Sequence, residues 1–380
     1  MSKTTALLNA KLIVDGDVIE DKILLFDNKI IDIVEDVIVS DSDDIEIIDA
    51  KGAYVSAGFI DLHIHGSGGA DVMDATPEAL EILSTTLVQT GTTSFLATTM
   101  TMSTEAIDNA LQNIQNHASE VTGANIVGVH LEGPFINVSK HGAQDKNYVQ
   151  APNFKLIENY MSEVKMITLA PEVEGSESFV KQMQKEYPHV ILSVGHSDTS
   201  YEEAKESFSW GISHVTHLFN AMPSYHHRKP GLVGAVFDSD VTCDIIADLV
   251  HTHPSTLELT QKIKGDKLIL ITDAMRAGCM KCGSYDLGGR KVNVSEGKAL
   301  LADGTLAGSV LKMNEAMMNM LKHTSMCRTE IVASVTKIPA QKLGLKKGEL
   351  KKGYDADIVI FDETFNIETT IINGKIKYHA

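Results

Sequence analysis

Long apolar runs are missing from this chain of 380 residues; none approaches the roughly 20 residues that a membrane-spanning helix needs. The first residues lack a basic stretch followed by an apolar core, so no secretory signal is read there. A cytoplasmic protein without a membrane partner is expected. Positive charge is scarce: 33 Lys and Arg stand against 51 Asp and Glu, a formal net charge of -18. That balance opposes nucleic acids and anionic membranes as partners, but leaves room for a small anion in a local basic pocket. Cysteine is also scarce, at four residues, which suits a reducing compartment. Cys279 and Cys282 form a lone CxxC between flanks that read as loop, and with no second pair they are expected to be incidental. No glycine-rich dinucleotide fingerprint follows an early strand, and no repeat or low-complexity tract is present.

What is there is a chain whose ends differ from its middle. Short apolar strands at 6–14, 22–26 and 29–39 are separated by the turn signals Asp15-Gly16 and Asp27-Asn28. The C-terminus has the same character at 356–362 and 369–377, with the hairpin turn Asn373-Gly374. The two ends are expected to pair into one small β-sandwich domain, from 1–52 and 346–380. The middle, 53–345, alternates strands with helices. Strands are expected at 54–65, 92–98, 125–131, 165–170, 190–194, 214–218, 243–249 and 268–272. Helices are expected at 77–90, 103–121, 153–163, 176–187, 200–210 and 254–264, then at 309–323 and 329–336. Eight such units in about 290 residues is the arithmetic of a (β/α)8 TIM-type barrel. An open doubly wound sheet is the competitor.

In a barrel, chemistry gathers at the C-terminal ends of the strands. Those ends carry His63 and His65, Glu132, His196, His217, Asp248 with His251, and Asp273. One such residue is ordinarily a cap or turn residue; six strands choosing His, Glu or Asp at the same depth is not explained that way. His63 and His65 are two apart in a strand, so both imidazoles leave on one face. Glu132, His196 and His217 make three ligands for a borderline divalent metal such as zinc, iron or manganese, with a position left for water. His63 and His65 could hold a second ion, with a carboxylate bridging. Such a metal makes a nucleophilic hydroxide near neutral pH, and Asp273, grouped with the metal residues, would act as general base and then general acid. His226-His227-Arg228-Lys229 is the most basic short run in the chain: a solvated loop by default, an anion pocket if its position after strand six matters.

On these residues the chain resembles the amidohydrolase superfamily, and within it the deacetylases of N-acetylglucosamine 6-phosphate. The landmarks are Ala57 to Gly66, His130-Leu131-Glu132-Gly133-Pro134-Phe135, Val194-Gly195-His196-Ser197 and Thr216-His217-Leu218-Phe219-Asn220-Ala221-Met222. Further on come Arg228-Lys229-Pro230-Gly231, Ile271 to Met275, and Asp303 to Ser309. The resemblance implies hydrolysis of the 2-acetamido group to glucosamine 6-phosphate and acetate, in amino-sugar catabolism and cell-wall sugar recycling. It implies one or two divalent ions per subunit and a homodimer. Asn220, Ala221, Arg228, Asp248, His251, Leu306, Ala307 and Gly308 match substrate-contacting positions, with Arg228 meeting the phosphate. Ala143 and Gln144 fall in a further such segment, where the family often has a histidine at 144. Glutamine there can still hydrogen-bond, but without a titratable charge.

Two alternatives stay open on the sequence. Another hydrolase of the superfamily, acting on cyclic amides or as a deaminase, would share the histidines and the final aspartate, and substrate profiling separates it. A noncatalytic assembly barrel would bind no metal.

Overall fold

A computed structural model describes residues 3–35 and 45–380. Eight parallel strands form one sheet in sequence order: Phe59–Ile64, Thr92–Thr98, Asn125–Glu132, Val164–Leu169, Ile191–Val194, His214–Val215, Thr242–Ile246 and Leu268–Ile271. The sheet curls until its first and eighth strands meet. The Asp273 N–H donates to the His63 carbonyl at 2.9 Å, and the His65 N–H to the Ala274 carbonyl at 2.9 Å. The buried Asp61 carboxylate adds a side-chain link, accepting from the Thr272 hydroxyl at 2.6 Å. Burial pushes Asp61 up to about 7 against the pull of its hydrogen bonds. The architecture is the expected (β/α)8 barrel. Strands sheathed on both faces are buried along their length: all seven residues of Thr92–Thr98 are buried, its threonines and serine included.

The outer helices begin where capping chemistry starts them. The Thr76 hydroxyl accepts the Ala79 N–H ahead of Pro77–Leu87, and the Ser103 hydroxyl accepts the Ala106 N–H ahead of Thr104–His117. Ser200 and Glu203 form a reciprocal capping box on Tyr201–Trp210. Several expectations change. The stretch 153–163 forms only two 3₁₀ turns, Phe154–Leu156 and Glu158–Tyr160; Asn153 caps the first turn, but nothing extends it. The stretch 54–65 is two strands, not one. Tyr54–Ala57 joins a sheet outside the barrel, and the chain turns into the barrel at Gly58, where a Cβ would lie 2.1 Å from the Thr93 hydroxyl. The flank after Cys282 is not loop: Gly283–Leu287, Arg290–Ser295 and Lys298–Leu300 make a three-stranded antiparallel sheet.

The chain ends build a separate β-domain of two sheets. One contains Ile30–Glu35, Lys22–Phe26, Thr4–Leu8 and Ile45–Asp49; the other runs from Lys375–His379 through Ile367–Ile372, Ile358–Phe361, Tyr54–Ala57 and Lys11–Val14 to Asp17–Ile19. The expected strand 6–14 divides at Asn9, whose φ of 53° sends its halves into different sheets. The part of the expected 29–39 strand beyond Glu35 lies outside the described residues. Leu7, Leu24 and Phe26 face Leu12, Val55 and Ile358 between the sheets. Asn373 and Gly374, with φ of 50° and 72°, make the two-residue hairpin turn read from the sequence. Phe59, Phe361 and Phe365, fully buried, join this domain to the barrel. Each such ring is worth roughly 1.5–3 kcal/mol on burial.

Candidate active site

The strand ends deliver the predicted polar residues to one mouth of the barrel. Glu132 closes the third strand, while His196, His217 and Asp273 each stand two residues beyond the fifth, sixth and eighth. Those last three have left-handed backbones, with φ of 48°, 33° and 48°. A non-glycine residue there costs about 1–2 kcal/mol, and the surroundings hold it in place. The His217 N–H donates to the buried Asp244 carboxylate, and the Asp273 N–H is the one bonded to His63.

These side chains converge on Glu132. Its Oε1 lies 3.0 Å from His217 Nε2, 3.1 Å from His196 Nε2 and 3.4 Å from His63 Nε2. Its Oε2 lies 3.3 Å from His65 Nε2. Asp273 Oδ1 is 3.4 Å from Nε2 of both His63 and His65. All six residues are buried. Among the described residues the groups with metal-ligand geometry are His63, His65 and Glu132, and Glu132, His196 and His217. Glu132 belongs to both.

The hydrogen bonds behind the rings test whether a cation fits. His65 Nδ1 meets the Thr98 carbonyl at 3.2 Å, and His196 Nδ1 meets the Lys140 carbonyl at 2.8 Å. A carbonyl accepts only, so both rings donate from Nδ1, and in its neutral form each presents a bare lone pair at Nε2. Those lone pairs face carboxylate oxygens at 3.1 and 3.3 Å, acceptor against acceptor. Such an array is stable only around positive charge, and nitrogen and oxygen donors suit zinc, iron or manganese. The same demand for positive charge shows in the electrostatics, where protonated rings would supply it in place of a cation. Burial pushes the Glu132 carboxyl up, but His63 and His196 beside it, with hydrogen bonds from His196 and His217, outweigh this and hold it well below the usual range. Burial likewise opposes the charge on Asp273, which His63 and His65 nevertheless hold down. Burial pushes His65 down, yet hydrogen bonds to Asp273 and Glu132 raise it well above an ordinary histidine.

A cavity of about 200 Å³ opens over this cluster. From the expected set, Ala143, Gln144, Asn220, Ala221, His251, Leu306 and Gly308 line it, together with His65, Glu132, His196, His217 and Asp273. Others sit differently. His63 lies fully buried beneath it, and Ala307 is also fully buried. Asp248 stands behind His251, accepting its Nδ1–H at 2.7 Å. Arg228 is on an exposed loop, its guanidinium 2.6 Å from His227 Nε2. Gln144 spends its amide inside the protein: its NH₂ donates to Glu132 Oε2 at 2.8 Å, and its carbonyl accepts the Thr101 N–H at 2.7 Å. His253, beside His251, caps helix Pro254–Lys264.

Met100, Gly142, Leu287 and Thr305 line the cavity as well and were not picked out from the sequence. Leu287 arrives on the extra antiparallel sheet, whose Arg290 donates to the Ala143 carbonyl at 3.0 Å. The signal was present: Gly288-Gly289 between two short alternating runs is a hairpin pattern.

Comparison with known proteins agrees with this geometry. The model of the amidohydrolase family matches residues 54–377. The chain is 41% identical to the N-acetylglucosamine-6-phosphate deacetylase of Lysinibacillus sphaericus, over 88% of each chain. It superposes on the crystal structure of the N-acetylglucosamine-6-phosphate deacetylase of Pasteurella multocida with a TM-score of 0.93 and 31% identity, covering 99% of this chain and 100% of that one. A substituted form of the Mycobacterium smegmatis deacetylase, in complex with N-acetyl-D-glucosamine-6-phosphate, superposes with a TM-score of 0.91 at 26% identity over 99% of each chain. Through a family match over most of its length and relatives this similar, the chain belongs to the amidohydrolase family.

Proposed function

We propose that this chain hydrolyses the acetamido group of N-acetyl-D-glucosamine 6-phosphate, giving D-glucosamine 6-phosphate and acetate. The observation that carries the reading is the acceptor-against-acceptor array around Glu132, opening into a cavity. The relatives' activity names the bond. Glu132, His196 and His217 would hold one divalent cation, and His63 and His65, sharing Glu132, a second. A cation held there supplies Lewis acidity, lowering the pKa of a water and polarising the amide carbonyl. Zinc, iron and manganese all match the donors.

The other steps belong to the protein. Asp273 borders both the cation site and the cavity, so its carboxylate takes the proton of the attacking water and returns it to the departing amine nitrogen as the C–N bond breaks. His251, its Nδ1–H held by Asp248, presents Nε2 for a sugar hydroxyl. Asn220, Ala221 and the 306–308 segment enclose the ring and the acetyl group. Gln144 steadies Glu132 as well as lining the cavity. Arg228 would bind the phosphate; its exposure outside its own cavity favours a twofold dimer in which it serves the neighbouring site. Among the described residues no helix is long and apolar enough to cross a membrane. A phosphorylated sugar substrate favours a cytoplasmic location.

The test is acetate release from N-acetylglucosamine 6-phosphate beside the unphosphorylated sugar, with and without a chelator. Fast, chelator-sensitive release from the phosphorylated sugar alone is expected. No release from either by metal-loaded protein would refute the reading and point to cyclic-amide or deaminase substrates.

A further inference from the structure

We infer that Glu172, beyond the fourth barrel strand, is a positioning residue that fixes how His196 faces its cation. The inference rests on His196 being a ligand, as proposed above. The fourth strand, Val164–Leu169, brings no side chain to the cation cluster, and sequence reasoning found nothing at its end. Yet the Glu172 carboxylate accepts three hydrogen bonds from two different loops. Oε1 accepts the Asn137 side-chain amide at 2.8 Å and the Asp198 N–H at 2.6 Å, and Oε2 accepts the Ser197 hydroxyl at 2.7 Å.

Both loops meet at His196. Ser197 and Asp198 follow it directly in the chain. Asn137 reaches it from the other side: its N–H donates to the His196 carbonyl at 2.9 Å. Asn137 also shapes the turn Val138–Lys140. Its Oδ1 accepts the Ser139 N–H at 2.8 Å and its carbonyl accepts the Lys140 N–H at 2.9 Å. That turn carries the Lys140 carbonyl that accepts His196 Nδ1–H at 2.8 Å. Glu172 therefore holds the segment bearing the imidazole and the segment bearing the carbonyl that selects its tautomer. A Lys140–Asp198 ion pair at 3.1 Å spans the same two loops, but it lies nearer solvent and contributes little. Glu172 belongs to neither ligand group and does not line the cavity; it acts through His196, whose left-handed backbone needs outside support.

Partners behind a ligating histidine typically govern metal affinity by about 10- to 100-fold. In zinc-loaded protein, Glu172→Ala leaves three donors without an acceptor. It should release zinc to a chelating dye 10- to 100-fold faster than wild type, with kcat reduced and KM for the phosphorylated sugar within about threefold. Glu172→Gln keeps an acceptor for the two N–H donors, and the Ser197 hydroxyl can turn to accept from its amide. That variant should recover most of both properties, a rescue that mere loss of fold stability would not produce. Ser197→Ala removes one arm, and should speed release by a smaller factor if Glu172→Ala does not fold. Wild-type zinc release and kcat in Glu172→Ala, even with a lower melting temperature, would overturn the inference. If wild type itself retains no zinc, iron or manganese, the cation site fails, and the role of Glu172 falls with it.

Discussion

Gly66→Ala puts one methyl group where the site is assembled. A Cβ at 66 would lie 2.4 Å from the Ala70 carbonyl oxygen, 2.7 Å from the Arg276 nitrogen and 2.9 Å from the Arg276 Cα. Comfortable carbon contacts lie near 3.5–4.0 Å, so something must move by roughly 1 Å. All three obstacles are backbone, and no flexible side chain can swing aside. What moves is either the hairpin of Gly66–Ser67 and Ala70–Asp71 or the loop after the eighth strand. That loop is bonded to the His65 and Gly66 N–H groups through the Ala274 carbonyl, at 2.9 and 3.0 Å. Overpacking costs about 1–3 kcal/mol, and rigid neighbours argue for the upper half. At about 2 °C per kcal/mol for a large domain, the melting temperature should fall by roughly 4–6 °C. The same displacement separates His65 from Asp273, and a misplacement of about 1 Å near reacting groups can cost about 100-fold in rate. Scanning calorimetry and steady-state kinetics at 25 °C, well below the melt, read the two effects separately. Gly283→Ala is the control: its position is exposed, and a Cβ there meets only the Tyr285 ring, at 3.5 Å or beyond. Wild-type melting and turnover within twofold for Gly66→Ala would refute the steric argument.

Asp273→Asn should retain the cation by elemental analysis and lose about 10²- to 10⁴-fold in kcat; near-normal turnover would remove Asp273 from proton transfer. Arg228→Ala should raise KM for the phosphorylated sugar by about 10- to 100-fold, the worth of a charge-assisted hydrogen bond, and leave the unphosphorylated sugar nearly unaffected; equal effects on both would end the phosphate assignment. Cys243, fully buried in the seventh strand, has its thiol pushed by burial up to about 12. The unfolded thiol ionises near 9, so between about pH 9 and 12 the unfolded chain holds fewer protons than the folded one, and stability falls as pH rises. Denaturant titrations should show wild type losing about 1.4 kcal/mol per pH unit relative to Cys243→Ala in that window; parallel curves would contradict it.

The fold and the cation cluster were legible because their signals are local. Alternation, strand-ending polar residues and caps such as Thr76-Pro77 are written in consecutive residues. Where one run of apolar residues serves two sheets, as in 6–14 and 54–65, the sequence shows continuity and the division depends on tertiary partners. Asn9 and Gly58 mark the breaks, but each is also an ordinary residue within such a run. The helix expected at 153–163 shows the converse. Its composition permits a helix, yet the Asn153 side chain closes a tight turn instead, and packing decides between them. Glu172 was invisible for a different reason. Its partners Asn137, Ser197 and Asp198 are distant in sequence, and a lone glutamate after a proline carries no pattern.

His196, His217 and Asp273 occupy left-handed backbone positions that suit glycine or asparagine better. A population of variants selected only for resistance to heat would gain at these three sites by discarding the residues on which the proposed chemistry depends. Improved folding and lost turnover would then arise from the same substitution. A heat-selected lineage that nevertheless kept all three would be recording selection for catalysis, written against the preference of its own backbone.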